Sequence, residues 1–383
     1  MARYRLGDIC TIVSGSTPKT EVAEYWDGDI KWITPAELND DSYIIEDSAR
    51  KLTALGVQKT GLTPFPAGTI ILSSRAPIGK VAIAGCEMYC NQGFKNLICS
   101  EIVHNKYLFW YLKGKTEYLN SLGRGATFKE ISKQIVGGIE IELPPMEEQI
   151  AIAQRFEQLN LLLHERKQEI TMLDQLIKAR FVEMFGDPVS NPKGWGKRKL
   201  SDLADIRIGP FGSLLHKEDY VTGGHALVNP SHIINGKIAI DTDLTVSDEK
   251  YAELSPYHLL IGDVVMGRRG EMGRCAVVGD SGLLCGTGSL LIRTYGELSS
   301  DFIQKIISFP SFKRTIEDMA VGQTMPNLNV PIVSEFRIIT PPKDVQDQYY
   351  AFVSQVDKSK LSIQASLDQL ETLEQSLMQQ YFG

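Results

Sequence analysis

The chain of 383 residues contains no run of about 20 consecutive apolar residues, so nothing in it is expected to span a membrane. Its opening, Met1 to Cys10, lacks the apolar core of a secretory signal, and the expected compartment is the cytoplasm. Cysteine is sparse. Cys10, Cys86, Cys90, Cys99, Cys275 and Cys285 make no CxxC pair and no zinc-ribbon spacing, and scattered cysteines of this kind read as small buried hydrophobes. His104, His164, His216, His225, His232 and His258 include no HExxH motif and no Cys/His cluster, so no metal site is expected. A GxxxxGK[ST] phosphate loop and a GxSxG nucleophile elbow are both missing. Asn229-Pro-Ser-His232 only superficially resembles the Asn-Pro-Pro-aromatic motif of amino-group methyltransferases; without a glycine-rich cofactor motif beside it, Asn-Pro reads as a turn. These absences leave an enzyme hypothesis without a supporting constellation, and no cofactor or small-molecule substrate is expected. Basic charge is also short, 40 Lys+Arg against 47 Asp+Glu for a net charge of -7. That excludes an indiscriminate basic coat for nucleic acid but leaves room for a few well-placed cations. With 43% apolar and 23% charged residues, the chain is folded rather than disordered.

What is present is internal repetition, visible when residue n is laid over n+194 to n+197. Gly68 to Lys80 falls on Gly262 to Arg274, and both copies read as turn, buried strand, basic loop and glycine. Trp32-Ile-Thr-Pro-Ala-Glu37 falls on Leu227-Val-Asn-Pro-Ser-His232, Cys90-Asn-Gln-Gly93 on Cys285-Gly-Thr-Gly288, and Gly125-Ala-Thr on Gly322-Gln-Thr. Alternating strands at Ile139–Leu143 and Phe336–Thr340 stop at Pro144-Pro145 and Pro341-Pro342.

After each proline pair the apolar period changes to a 4-3 spacing. It runs Ile152, Phe156, Leu159, Leu163, Arg166, Ile170, Leu173, Ile177, Arg180, Met184 in the first copy. In the second it runs Tyr349, Val353, Val356, Lys360, Ile363, Leu367, Leu370, Glu374, Leu377, Tyr381. The two frames differ by 197 residues throughout. Residues 146–185 and 343–382 contain no Gly or Pro, and each is followed or ended by Phe-Gly, a favoured helix stop. Such helices would each span about 60 Å, and a narrow apolar stripe needs a partner. Packing on the parent globular domain is one solution; packing on each other as a coiled coil is the sharper one. A domain of this size, with a radius of gyration near 15 Å, cannot easily bridge about 60 Å, so the helices should run antiparallel.

The expected fold is therefore α+β: two related globular α/β domains separated by two long antiparallel helices forming a coiled coil, with an internal pseudo-two-fold repeat. The segments are 1–146, 147–186, 187–343 and 344–383. Residues 1–146 hold 16 basic and 16 acidic side chains and residues 187–343 hold 17 and 18, so the acid excess lies on the helices. A phosphate-binding surface then belongs to the globular domains.

Segment order and several phrases resemble the specificity (S) subunits of type I restriction-modification systems. The phrases are Phe185-Gly-Asp-Pro188 with Asn191-Pro192 and Gly194-Trp195, the two Pro-Pro breaks with Gln149 and Gln346 inside each helix, Gly125-x-Thr, and Gly322-Gln-Thr324-x-x-Asn327-Leu-Asn329. The first copy departs at Phe128-Lys129-Glu130, where the second has Met325-Pro-Asn327. The resemblance implies two target-recognition domains, 1–146 and 187–343, each reading one half of a bipartite, asymmetric sequence in double-stranded DNA. It also implies that the helices act as a spacer and a seat for two methyltransferase (M) subunits, joined by restriction (R) subunits. Arg75 and Arg269, with Lys80 and Arg274, recur at equivalent places and are the expected phosphate or guanine contacts, although a basic turn can simply be solvated. Asn91, Gln92, Gln323 and Asn327 are candidates for adenine edges, with loop-tying amides as the plain alternative. Arg268 and Lys129 read as surface charge with a weaker claim. A competing class is a non-enzymatic coiled-coil adaptor that binds protein partners without reading DNA.

Overall fold

A computed structural model describes residues 2–75, 77–125, 129–211, 214–320 and 327–383. Contacts group them into two compact units, Met1–Glu169 with Ser362–Gly383, and Ile170–Leu361. Each unit thus combines one globular segment with portions of both long helices.

In the first unit the strand Ala2–Arg5 pairs antiparallel with Glu140–Leu143, so the start of the globular segment is fastened to its end. A five-stranded sheet follows the order Cys10–Val13, Asn96–Cys99, Ile70–Leu72, Val81–Ala84, Ile44–Ile45. Ile70, Ile71 and Leu72 are fully buried, as a continuous apolar run bounded by a turn should be. Trp26–Ile33 lies in a smaller sheet, antiparallel to Arg50–Leu52 and parallel to Tyr89–Cys90.

The second unit repeats this plan. Lys197–Lys199 pairs with Arg337–Ile339, and a four-stranded sheet runs Ala204–Ile208, Ser289–Thr294, Val264–Gly267, Cys275–Val277. This is the order of the first four strands above, each shifted by about 194 residues. The parallel pair also recurs: Trp32 faces Tyr89 and Ile33 faces Cys90, while Leu227 faces Leu284 and Val228 faces Cys285. Both copies then enter a capped 3-10 turn. Thr34 N donates to Glu37 Oε1 at 2.8 Å in one, and Asn229 N donates to His232 Nδ1 at 3.3 Å in the other. Asn229-Pro230 is accordingly a turn.

The mixed helix-and-sheet expectation holds, with ladders mostly antiparallel. The long helices are Met146–Phe185 and Lys343–Phe382. Gly186 stops the first with φ of +76°, a left-handed conformation that glycine adopts without strain. None of Ile152, Phe156, Leu159, Leu163, Ile170, Leu173, Ile177, Tyr349, Val353, Val356, Ile363, Leu367, Leu370 or Leu377 is exposed, whereas the off-stripe Leu161, Met172 and Leu361 are 61, 62 and 72% exposed. In the first unit Phe156 stacks between Trp110 and Phe382, with ring centroids 5.2 and 5.6 Å away. In the second, Phe181 and Phe185 meet Tyr349 edge-on, and Lys360 pairs with Asp174 at 2.6 Å. Rising numbers on one helix meet falling numbers on the other there, so the two run antiparallel in that unit. Within each unit, portions of the two helices thus touch each other and the globular core.

Candidate nucleic-acid interface

The buried strand Ile70–Leu72 delivers the chain into a basic loop whose course is set by hydrogen bonds. Ser73 Oγ donates to the Pro77 carbonyl at 2.7 Å and accepts from Lys80 N at 2.9 Å. Ser74 N donates to Gly93 O at 2.7 Å, and Ile131 N donates to Ser74 O at 2.9 Å. Three loops, around residues 74, 93 and 130, are thus laced together at the backbone, and Arg75 projects from the junction, bridged to Glu130. The second unit repeats the lacing. Arg268 N donates to Gly288 O at 3.0 Å, Leu328 N to Arg268 O at 2.9 Å, and Arg269 bridges to Asn327. Arg75 and Arg269 therefore occupy the same structural place, not only the same place in the sequence repeat.

Their side-chain environments differ. Arg75 Nε donates to Glu130 Oε2 at 2.9 Å, and the other carboxylate oxygen, Oε1, is 3.2 Å from Lys95 Nζ. Lys95 is only 7% exposed, so the carboxylate is anchored from beneath by a nearly buried ammonium. Burial would raise the Glu130 carboxyl, but the bonds from Arg75 and Lys95 outweigh it and hold the group below the usual carboxylate range. Arg269 is exposed and has no ion-pair partner among the described residues. Its neighbour Arg268 is half-buried and turned inward, with Nε 3.2 Å from the Leu328 carbonyl; burial, then the adjacent Arg269, lowers its pKa.

Lys80 and Arg274 act as equivalent ties. Lys80 Nζ donates to the Leu38 carbonyl at 2.8 Å, and Arg274 Nη1 to the Pro230 carbonyl at 3.1 Å, each holding the basic loop to the turn after the parallel strand. Arg274 also pairs with Glu271 at 2.8 Å, and Glu271 meets Lys313 at 2.9 Å. Those two cations, Lys313 first, pull the Glu271 carboxyl down to about 2. Asn91 Oδ1 accepts from Gly93 N at 2.8 Å and so shapes its own turn, while exposed Gln92 accepts from Thr17 Oγ1 at 2.6 Å. Asn327 Oδ1 is buried without a hydrogen-bond partner among the described residues. Gln323 lies outside the described residues. Lys129 is exposed.

Repetition pointed to the arginines but concealed Glu130 and Lys95, because their counterparts are Asn327 and Leu290. The only sequence signal was the departure at Phe128-Lys129-Glu130. Among the described residues no group of His, Cys, Asp and Glu could hold a metal ion, and no helix is long and apolar enough to cross a membrane.

Comparison with known proteins matches this duplicated architecture. The chain is 29% identical over 400 residues to the type I restriction enzyme MjaIX specificity subunit of Methanocaldococcus jannaschii, covering 98% of this chain and 90% of that one. A solved S subunit of a type I restriction-modification system from M. genitalium has the same fold at a TM-score of 0.57 and 14% identity, covering 100% of this chain and 96% of that one. A chain from a structure on complex assembly and conformational transition of the type I R-M system reaches 0.64 at 17% identity, covering 100% and 97%. A family model described as "Type I restriction modification DNA specificity domain" matches twice, at residues 1–172 and 192–374. Two matches that together take in nearly the whole chain, one on each structural repeat, show that it belongs to the family of type I restriction-modification DNA specificity (S) subunits.

Proposed function

We propose that the protein is the sequence-reading, non-catalytic subunit of a type I restriction-modification complex in the cytoplasm. Globular segments 1–146 and 187–343 each read one half of a bipartite target in double-stranded DNA. The helices at 147–186 and 344–383 form a coiled coil that sets the half-site spacing and seats two methyltransferase (M) subunits, with restriction (R) subunits joining that core. The observation that carries this reading is the duplicated lacing that presents Arg75 and Arg269 from identical backbone frames. A repeated protein surface suits a duplex, whose own two-fold symmetry offers two equivalent docking places. The frames match while the side chains around them differ, so the two half-sites should differ in sequence.

Methylome sequencing of cells with and without the gene tests the reading. Loss of a single two-part methylation motif is the expected result. A methylome unchanged by deletion, together with purified protein that selects no motif from random duplexes while still binding a methyltransferase, would favour a protein-only adaptor.

A further inference from the structure

We propose that Glu130 is a positioning residue for base readout: it fixes the Arg75 guanidinium so that its terminal edge meets a guanine in one half-site, whereas Arg269 contacts a backbone phosphate. This rests on the DNA-reading function proposed above. Glu130 engages Arg75 through Nε at 2.9 Å, and among the described residues both terminal nitrogens are left available, the pair suited to the two acceptors of a guanine. The clamp is itself held on two sides. Its second oxygen is held by Lys95, which also reaches Ser74 Oγ at 3.3 Å, in the very loop that carries Arg75. Backbone bonds in both directions between Arg124 and Glu130, at 3.0 and 2.9 Å, fix the residue from the other side. Arg75, Glu130 and Lys95 together keep one positive charge, so the arginine is aimed without being neutralised toward DNA. Arg269 stands in the same backbone frame opposite a neutral amide whose Oδ1 is buried. An unclamped guanidinium can follow a phosphate without a fixed orientation, which reading a base edge requires.

The test uses the chain co-purified with its methyltransferase partner and selection from randomised duplexes at several salt concentrations, for wild type, R75A, E130A, E130Q and R269A. R75A and E130A should both lose preference at one guanine position in one half-site, by about tenfold or more, with the other half-site intact. E130Q keeps an acceptor for Nε and should retain most of that preference. R269A should weaken all sequences alike, keep the motif, and reduce the slope of log affinity against log salt by about 1. An unchanged motif in E130A, or tighter binding with an unchanged motif, overturns the inference, the latter by making Glu130 a mask. If E130A melts early, E130Q decides, since loss of the guanine preference in a well-folded E130Q also contradicts the clamp. A wild-type complex that selects no two-part motif overturns the underlying function instead.

Discussion

Gln149 and Gln346 perform the same task in the two repeats: the side-chain amide of each donates, at 3.0 Å, to the carbonyl of the first proline in the pair that ends the preceding strand, Pro144 or Pro341. Their oxygens accept from the backbone of His104 and Ser299, at 2.9 and 3.3 Å, and each glutamine is 1% exposed. Proline stops the strand and has no donor, so a strand-to-helix junction of this kind leaves carbonyls that need a partner. One amide supplies it and joins the helix start to a loop of the globular core. Gln149→Leu and Gln346→Leu should each cost about 2–3 kcal/mol, because buried backbone groups lose their partners. Urea denaturation measures this; a loss below about 0.5 kcal/mol would mean the junction does not depend on the amide.

The junction also shows how far a sequence can be read. The proline pairs and glutamines are visible as a phrase repeated 197 residues apart, and the long helices follow from 40 residues without Gly or Pro. The glutamines' partners, at His104 and Ser299, lie 45 and 47 residues away and carry no local signal. Arg75 is legible as a candidate because it recurs; its pairing with Glu130, 55 residues further on, is not, since pairing across loops follows from tertiary placement and this pair is not duplicated. Amide side chains were the least legible. Asn91 Oδ1 accepts from Gly93 N, a contact that spacing alone does not reveal.

Phe181 anchors the first long helix in the second unit. It is fully buried, and its ring lies 5.0 to 5.9 Å from Phe185, Phe302, Phe309 and Tyr349. Truncation removes a whole buried ring and leaves a cavity that neighbouring rings cannot fill. Phe181→Ala should therefore lower stability by about 3–5 kcal/mol. Met172→Ala, on the same helix at 62% exposure, should change it by less than about 0.5 kcal/mol. Equal melting temperatures for the two variants would contradict the packing described.

Glu271 makes stability depend on pH in a defined window. Lys313 and Arg274 pull its carboxyl down to about 2, whereas in the unfolded chain it titrates at its ordinary value of about 4.3. The folded state thus holds the charged form more strongly. The contribution is fully present above about pH 4.3 and is lost as pH falls toward 2. Because the side chain is 53% exposed, solvent screening limits the effect to about 1 kcal/mol or less. The gap in melting temperature between wild type and Glu271→Gln should be constant from pH 7 to 5 and narrow between pH 4 and 3. A gap that widens on acidification would reverse the sign argued here.

Lys80 and Arg274 separate charge from architecture at the interface. Both are cations in the basic loops, yet both donate to a backbone carbonyl, Leu38 or Pro230, and so hold the loop in place. A cation that contacts phosphate releases counterions on binding, and its removal lowers the salt slope by about 1. A cation that ties a loop has no such signature. Lys80→Met should lower affinity for target DNA, by disordering the loop that presents Arg75, while leaving the slope of log affinity against log salt unchanged. It should also lower the melting temperature, because the Leu38 carbonyl loses its partner. Titration of Lys80→Met and Arg269→Ala across several salt concentrations separates the roles: a slope reduced by about 1 in Lys80→Met, with an unchanged melting temperature, would make Lys80 a phosphate contact after all.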